Sequence, residues 1–122
     1  MFLPLLFASV AIAVAGDIYD VITSEKCFAK GAVETFTFLI GDNKRPSAVQ
    51  LYLRDSVVLA ACVAPSVLCA TVFHNLPVAY GGLIAPILYG VKHYKGALAG
   101  KAFLAGKPAT LPQTAWQKFW EG

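Results

Sequence analysis

The most informative segment of this sequence is residues 56–73, SVVLAACVAPSVLCATVF, which has 18 residues and no charged side chain. That length and composition are sufficient for a helix to cross the hydrocarbon core of a bilayer. A second apolar segment, residues 76–91, reads LPVAYGGLIAPILYGV. Only His74 and Asn75 separate the two segments, so the sequence predicts a tight αα-hairpin of two membrane-spanning helices, with Asn75 suited to start the second.

The composition of the whole chain also indicates a membrane environment. Of its 122 residues, 57% are hydrophobic and only 14% are charged, and the mean hydropathy is +0.63. A soluble domain of this size has too small an interior to bury so much apolar surface, whereas lipid can cover it from outside. We therefore expect an all-α integral membrane protein with two or three transmembrane helices.

A further apolar block occupies residues 1–16. It resembles a secretory signal sequence in length and in its small C-terminal residues, but no Lys or Arg precedes Lys26. We interpret the block as a retained N-terminal span. A four-span alternative would add residues 27–41, where Lys30 and Glu34 would be costly at mid-membrane depth. Three spans are therefore favoured over four.

The positions of the basic residues predict the orientation of these spans. None of the ten Lys and Arg residues lies before the first block or at the turn of the hairpin. With three spans, all of them fall on one side of the membrane, which is the positive-inside pattern. We expect the C-terminus on that side, which is the cytoplasm or its organellar equivalent, and Met1 and the hairpin tip on the other side.

The chain is expected to form a single membrane domain with four parts. These are the N-terminal span (1–16), an amphipathic interfacial segment (17–46), the transmembrane hairpin (47–95) and an interfacial tail (96–122). The tail ends in aromatic residues that suit a membrane interface or the groove of a partner protein. The residues predicted to dock on a partner are Trp116, Phe119 and Trp120.

Prolines and glycines predict how the hairpin bends and packs. Pro65 and Pro86 lie at similar distances from the turn and therefore at similar membrane depth. Each removes a backbone hydrogen bond and bends its helix unless a group such as the Ser66 hydroxyl compensates. Gly81 and Gly82 allow close approach of a neighbouring helix.

Charged residues near the membrane surface predict a lipid site. An anionic headgroup is the expected ligand, because several cations converge on the positive side. Arg54 is expected to reach lipid phosphate while Asp55 remains in water, and ion coupling by this pair is the alternative. Asp17 and Asp20 are also expected to face water rather than to bind a cation. The predicted headgroup contacts are Lys44, Arg45, Arg54, Lys92 and Lys95.

The sequence contains no constellation typical of an enzyme. It lacks the nucleophile-elbow, zinc-protease and phosphate-loop motifs. The three cysteines form no C-x-x-C pair, and His74 and His93 are expected on opposite sides of the membrane, so no cofactor is predicted beyond a structural anionic lipid. The net charge of +3 is modest and flanks membrane segments, so nucleic acid is not an expected partner.

These features favour a non-catalytic accessory subunit of a multisubunit membrane complex, with other membrane subunits and phospholipid as partners. A respiratory or ATP-synthesising complex of the mitochondrial inner membrane is the expected setting. One alternative is a small homo-oligomeric channel or transporter that uses the proline kinks and the Arg54–Asp55 pair. A second alternative is a small membrane enzyme or cofactor-carrying subunit, which would depend on Glu34, His74 or His93.

Overall fold

The computed structural model describes residues 1–34, 36, 38–41 and 44–106. This part of the chain is helical and contains no strand. The all-α fold expected from the sequence is therefore confirmed. The predicted docking residues Trp116, Phe119 and Trp120 lie outside the described residues. The helices are α1 (Phe2–Ala29), α2 (Ala48–Thr71), α3 (Leu76–Gly82) and α4 (Ile84–Leu104).

α1 is longer than the apolar block from which it was predicted. It has 28 residues and continues past Asp17 and Asp20 to Ala29. At 1.5 Å per residue it is about 42 Å long, more than the hydrocarbon thickness of about 30 Å. The segment expected to be interfacial, residues 17–46, is thus divided, because its first part belongs to α1. The described residues between 30 and 47 contain no helix, which disagrees with a fourth span.

α2 begins at a capping box. The Ser47 hydroxyl accepts a hydrogen bond from the Gln50 N–H at 3.3 Å, and the Gln50 side chain accepts one from the Ser47 N–H at 2.9 Å. The helix has 24 residues and passes Pro65 without interruption. Like α1, α2 is long and apolar enough to cross a membrane, judged by length and composition alone.

The second arm of the predicted hairpin is two helices instead of one. α3 starts as expected, with the Asn75 side chain accepting a hydrogen bond from the Val78 N–H at 3.3 Å. It ends at Gly82, and α4 begins at Ile84. Pro86 explains the break, because it has no N–H for the Gly82 carbonyl four residues earlier and its ring would collide with that carbonyl in a regular helix.

α1 runs parallel to the α3–α4 arm. At one end Phe2 packs edge-on against Tyr80, with ring centroids 5.6 Å apart. At the other end the Cys27 thiol donates a hydrogen bond to the Gly100 carbonyl at 3.4 Å. Because the residue numbers in these contacts increase along both segments, the two segments run in the same direction. A chain with three spans requires this relation between its first and third spans.

Ser66 joins α2 to α3. It is 1% exposed, and its hydroxyl donates a hydrogen bond to the Ala79 carbonyl at 2.7 Å. Near the break before Pro86, the Leu83 N–H bonds to the Tyr80 carbonyl at 3.2 Å, while Ala79 receives the hydroxyl of Ser66. The Ser66 hydroxyl, which the sequence offered as a group that could compensate for a proline, bonds across the hairpin to a carbonyl of α3.

The glycines of the second arm differ in what they pack against. A Cβ on Gly82 would lie 2.5 Å from the Ser66 hydroxyl, and a Cβ on Gly90 would lie 2.6 Å from the Ile12 carbonyl oxygen. Both positions therefore allow a helix approach that alanine would obstruct. A Cβ on Gly81 would meet nothing within 4 Å in this chain, so close packing is seen at Gly82 while the packing role of Gly81 stays a prediction.

Candidate functional site

Polar and ionisable side chains from three helices meet inside the structure at one end of the apolar segments. α1, α2 and α4 each contribute to this group, and the loop before α2 adds one carboxylate. We call the group the inner polar cluster. Its members are Asp17, Asp20, Glu34, Arg54, Asp55, Tyr89 and His93.

Three members of the cluster lie on three different helices but at the same end of the apolar blocks. Asp17 follows the first apolar block, Asp55 precedes the second, and His93 lies just beyond the third. Because α2 is antiparallel to the other two, these block ends meet. One ligand atom from each of the three residues lies within 4.8 Å of the others.

Arg54 is buried at the centre of an ion-pair network. Its Nε donates to Asp55 Oδ1 at 2.9 Å, and its Nη1 donates to the Phe36 carbonyl at 2.8 Å and lies 3.3 Å from Glu34 Oε2. Its guanidinium also lies over the Phe36 ring, 4.9 Å from the centroid. These contacts attach the loop before α2 to the helix that follows it.

The burial of this pair corrects the predicted roles of Arg54 and Asp55. Their side chains are only 5% and 3% exposed, so Arg54 does not reach lipid phosphate and Asp55 is not in water. Neighbouring carboxylates and a carbonyl take the place of water around the guanidinium. Removing one partner from such a buried pair is costly because the other charge is left uncompensated.

His93 connects α4 to α1. Its Nδ1 lies 2.7 Å from Asp20 Oδ2 and 3.7 Å from Asp17 Oδ1. The Tyr89 ring packs on the imidazole with centroids 4.4 Å apart, and the Tyr89 hydroxyl donates to the Asp55 backbone carbonyl at 3.1 Å. The prediction that Asp17 and Asp20 face water is corrected, because α1 continues beyond them and turns this i, i+3 pair toward α4.

Two buried carboxylate oxygens in the cluster lack a hydrogen-bond partner among the described residues. They are Asp17 Oδ1 and Asp55 Oδ2. A buried polar atom without a partner costs about 1–3 kcal/mol, and more when it is charged. The cluster also contains four carboxylates against one guanidinium and one imidazole, so its negative charge exceeds its positive charge. The arrangement can therefore accept a proton or a cation.

The other predicted site residues lie away from the cluster. His74 is exposed at the turn between α2 and α3, at the opposite end of the helices. Cys27, Cys62 and Cys69 are free thiols. The remaining headgroup candidates are also exposed, Lys44 and Arg45 in the loop before α2 and Lys92 and Lys95 in the middle of α4. Lipid binding by these residues remains a prediction.

Sequence reasoning identified most members of the cluster but did not bring them together. It treated Asp17 with Asp20 and Arg54 with Asp55 as separate surface pairs. Tyr89 was missed because a tyrosine in an apolar segment is unremarkable. The available signal was that each apolar block ends in an ionisable residue on the same predicted side of the membrane.

The comparisons with known proteins add no assignment to this geometry. The chain matches no protein-family model, no curated protein and no solved structure.

Proposed function

We propose that the chain crosses a membrane three times, through α1, α2 and the α3–α4 arm, and serves as a non-catalytic subunit of a larger membrane complex. The observation that supports this is that apolar and ionisable side chains are distributed in the opposite way to a soluble protein. Large apolar residues such as Phe7, Leu53 and Ile84 are exposed, while the ionisable inner polar cluster is turned inward. Lipid and neighbouring apolar helices are the environment that suits such a surface.

The helix lengths are consistent with this arrangement. The rise from Phe2 to Asp17 is about 22 Å, and the rise from Asp55 to Thr71 is about 24 Å. Both values approach a hydrocarbon thickness of about 30 Å. The inner polar cluster would then lie at the edge of the hydrocarbon core, with the final turns of α1 and α4 extending into the polar region.

The exposed face of α2 suggests how a partner would bind. Ala60, Ala61 and Ala64 are all exposed, and Ala60 and Ala64 are separated by four positions, so they lie on one face of the helix. Small residues with this spacing let a second helix approach closely, which drives association in lipid. A helix of another subunit is the occupant that we propose for this face.

The test is extraction from the native membrane in mild detergent, followed by native electrophoresis and mass spectrometry of the proteins that migrate with this chain. Constant partners in fixed stoichiometry would support the proposal, and respiratory and ATP-synthesising complexes are the first to compare. Migration alone, or as an oligomer of this chain only, would contradict it.

A matched pair of variants makes the test specific to α2. Ala64→Leu adds bulk at the proposed contact and should release the partner. Leu53→Ile changes an exposed apolar residue without a large change in volume and should leave the partner bound. Retention of the partner by both variants would exclude this face of α2 as the contact.

A small channel or transporter is the second candidate, and the inner polar cluster favours it. Ionisable groups between membrane helices are typical of proton and ion pathways. Purified protein in lipid vesicles should then carry a proton or cation current that Asp17→Asn reduces. Flux no greater than that of protein-free vesicles would reject this candidate.

A further inference from the structure

We propose that the inner polar cluster binds a divalent first-row transition-metal ion between Asp17, Asp55 and His93. The proposal goes beyond the subunit function and does not depend on it. A metal site could be present whether the chain assembles with partners or acts alone.

The geometry supplies three donors from three helices. One ligand atom each of Asp17, Asp55 and His93 lies within 4.8 Å of the other two, and His93 Nδ1 is already 3.7 Å from Asp17 Oδ1. Donors around a tetrahedral ion with bonds near 2.1 Å are about 3.4 Å apart. Small side-chain rotations are therefore sufficient to bring the three ligand atoms to bonding distance of one ion.

The unpartnered oxygens indicate where the ion would bind. Asp55 as a whole residue is 2% exposed. Its Oδ1 accepts a hydrogen bond from Arg54, and its Oδ2 has no hydrogen-bond partner among the described residues. Asp17 Oδ1 also has no hydrogen-bond partner among the described residues, on a side chain that is 14% exposed. Both oxygens belong to the residues of the donor set, and a cation between them would supply the interaction that each lacks.

The charges of the surrounding groups also favour a divalent ion. When all four are ionised, the carboxylates of Asp17, Asp20, Glu34 and Asp55 outnumber the Arg54 guanidinium by three charges. A divalent ion reduces this excess to one. A buried carboxylate that stays ionised needs such a partner, since isolated buried charges are very costly.

The donor types select the class of metal. An imidazole with two carboxylates suits Zn²⁺, Mn²⁺ or Fe²⁺ better than Mg²⁺ or Ca²⁺, which prefer oxygen donors alone. Asp20 Oδ2 lies 2.7 Å from the same His93 Nδ1, so this contact would be exchanged for the metal bond when the ion binds, and the Asp20 carboxylate would then be close enough to act as a fourth ligand.

The test uses the full-length protein purified in detergent, stripped with a chelator and titrated with Zn²⁺ in competition with a fluorescent indicator. We expect one high-affinity ion per chain. Co²⁺ should give the visible bands of nitrogen and oxygen coordination without a thiolate-to-cobalt charge-transfer band, which would exclude the three cysteines as ligands. Absence of binding to the wild-type protein, or a thiolate band, would overturn the proposal.

Substitutions assign the ligands. Asp17→Asn and His93→Gln should each weaken Zn²⁺ binding by at least about tenfold, the low end of the loss seen even for outer-shell partners. The control is His74→Gln, which removes the other histidine at the exposed hairpin turn and should bind Zn²⁺ like the wild type. Unchanged affinity in Asp17→Asn and His93→Gln would place the ion elsewhere and overturn the proposal.

Thermal unfolding with and without Zn²⁺ tests the site in variants that fold too poorly for a binding titration. Zn²⁺ should raise the unfolding temperature of the wild-type protein, because a ligand that binds only the folded state stabilises it. The same addition should raise the unfolding temperature of Asp17→Asn clearly less, because this variant binds the ion more weakly. An equal rise in both proteins would show that the stabilising ion binds outside this cluster.

Discussion

At the scale of single residues, Gly90 shows how closely α1 and α4 approach. A Cβ at this position would lie 2.6 Å from the Ile12 carbonyl oxygen and 2.9 Å from Ala13 Cα. Both are backbone atoms, which cannot rotate away as a flexible side chain could. An added methyl group can therefore fit only if the two helices move apart, and the free energy of that separation is the cost of the substitution.

We expect Gly90→Ala to lower the free energy of unfolding by about 1–3 kcal/mol, the usual cost of overpacking. The measurement is thermal unfolding in detergent followed by circular dichroism. The control is Gly81→Ala, where a Cβ meets nothing within 4 Å and where alanine is the better helix former. Equal losses in the two variants would contradict the close contact at Gly90.

Arg54 gives a second prediction at this scale. Arg54→Gln removes the charge that neutralises Asp55 and Glu34, and breaking a buried ion pair in this way costs about 3–5 kcal/mol. Denaturant titration should show this loss. Lys95→Gln, which removes an exposed cation, should cost much less. Similar losses in both variants would mean that Arg54 is solvated after all.

The residue types of the cluster were visible in the sequence, but their environment was not. Arg54 and Asp55 stand beside an apolar segment, where an interfacial position and a buried one have the same local pattern. The choice between them depends on Glu34 and Phe36, which come from a loop without helical periodicity. His93 and Asp20 are 73 positions apart, and no local rule predicts a contact over that distance.

At the scale of secondary-structure elements, a buried hydrogen bond joins the two arms of the hairpin near its turn. Ser66 donates to Ala79, and we expect Ser66→Ala to cost about 0.6–1.7 kcal/mol, the range of side-chain hydrogen bonds between membrane helices. The control is Thr71→Ala, because the Thr71 hydroxyl bonds to Val67 within its own helix. Equilibrium unfolding of both variants measures the difference, and a larger loss for Thr71→Ala would be contrary to this role of Ser66.

Helix starts were easier to predict than helix lengths. Asn75 is a good N-cap by its side chain alone, and the structure uses it as expected. The end of α1 at Ala29 was not foreseen, because the apolar pattern stops at Gly16 while the helix continues. Packing against α4 supports those additional turns, and the sequence of α1 does not reveal its partner. Pro86 was predicted to bend its helix, and it separates α3 from α4.

At the scale of the whole molecule, the parallel arrangement of α1 and the α3–α4 arm makes the orientation testable. After replacement of Cys27, Cys62 and Cys69 by alanine, single cysteines at positions 74 and 95 report on the two ends of the helices. In sealed native vesicles, a membrane-impermeant maleimide should label His74→Cys from one side and Lys95→Cys from the other. Labelling of both from the same side would exclude the three-span orientation.

The parallel pairing also has a consequence for the order in which the chain is made. α1 leaves the ribosome before α4, yet the residues that hold Asp20 and Cys27, which are His93 and Gly100, belong to α4 and are each synthesised 73 residues later. α2 and α3 can pair as neighbours as soon as they emerge. Asp17 and Asp20 of α1 make their contacts with His93 only after α4 has been synthesised.

A chain that ends at Leu83 should therefore contain α2 paired with α3 and an unmatched first helix. We expect pulse–chase labelling to show faster degradation of this truncated chain than of the full-length protein. Equal lifetimes would mean that α1 is stable without α4. The segment that contains α4 thus decides whether α1 survives, so the first helix remains open to degradation until α4 has been synthesised.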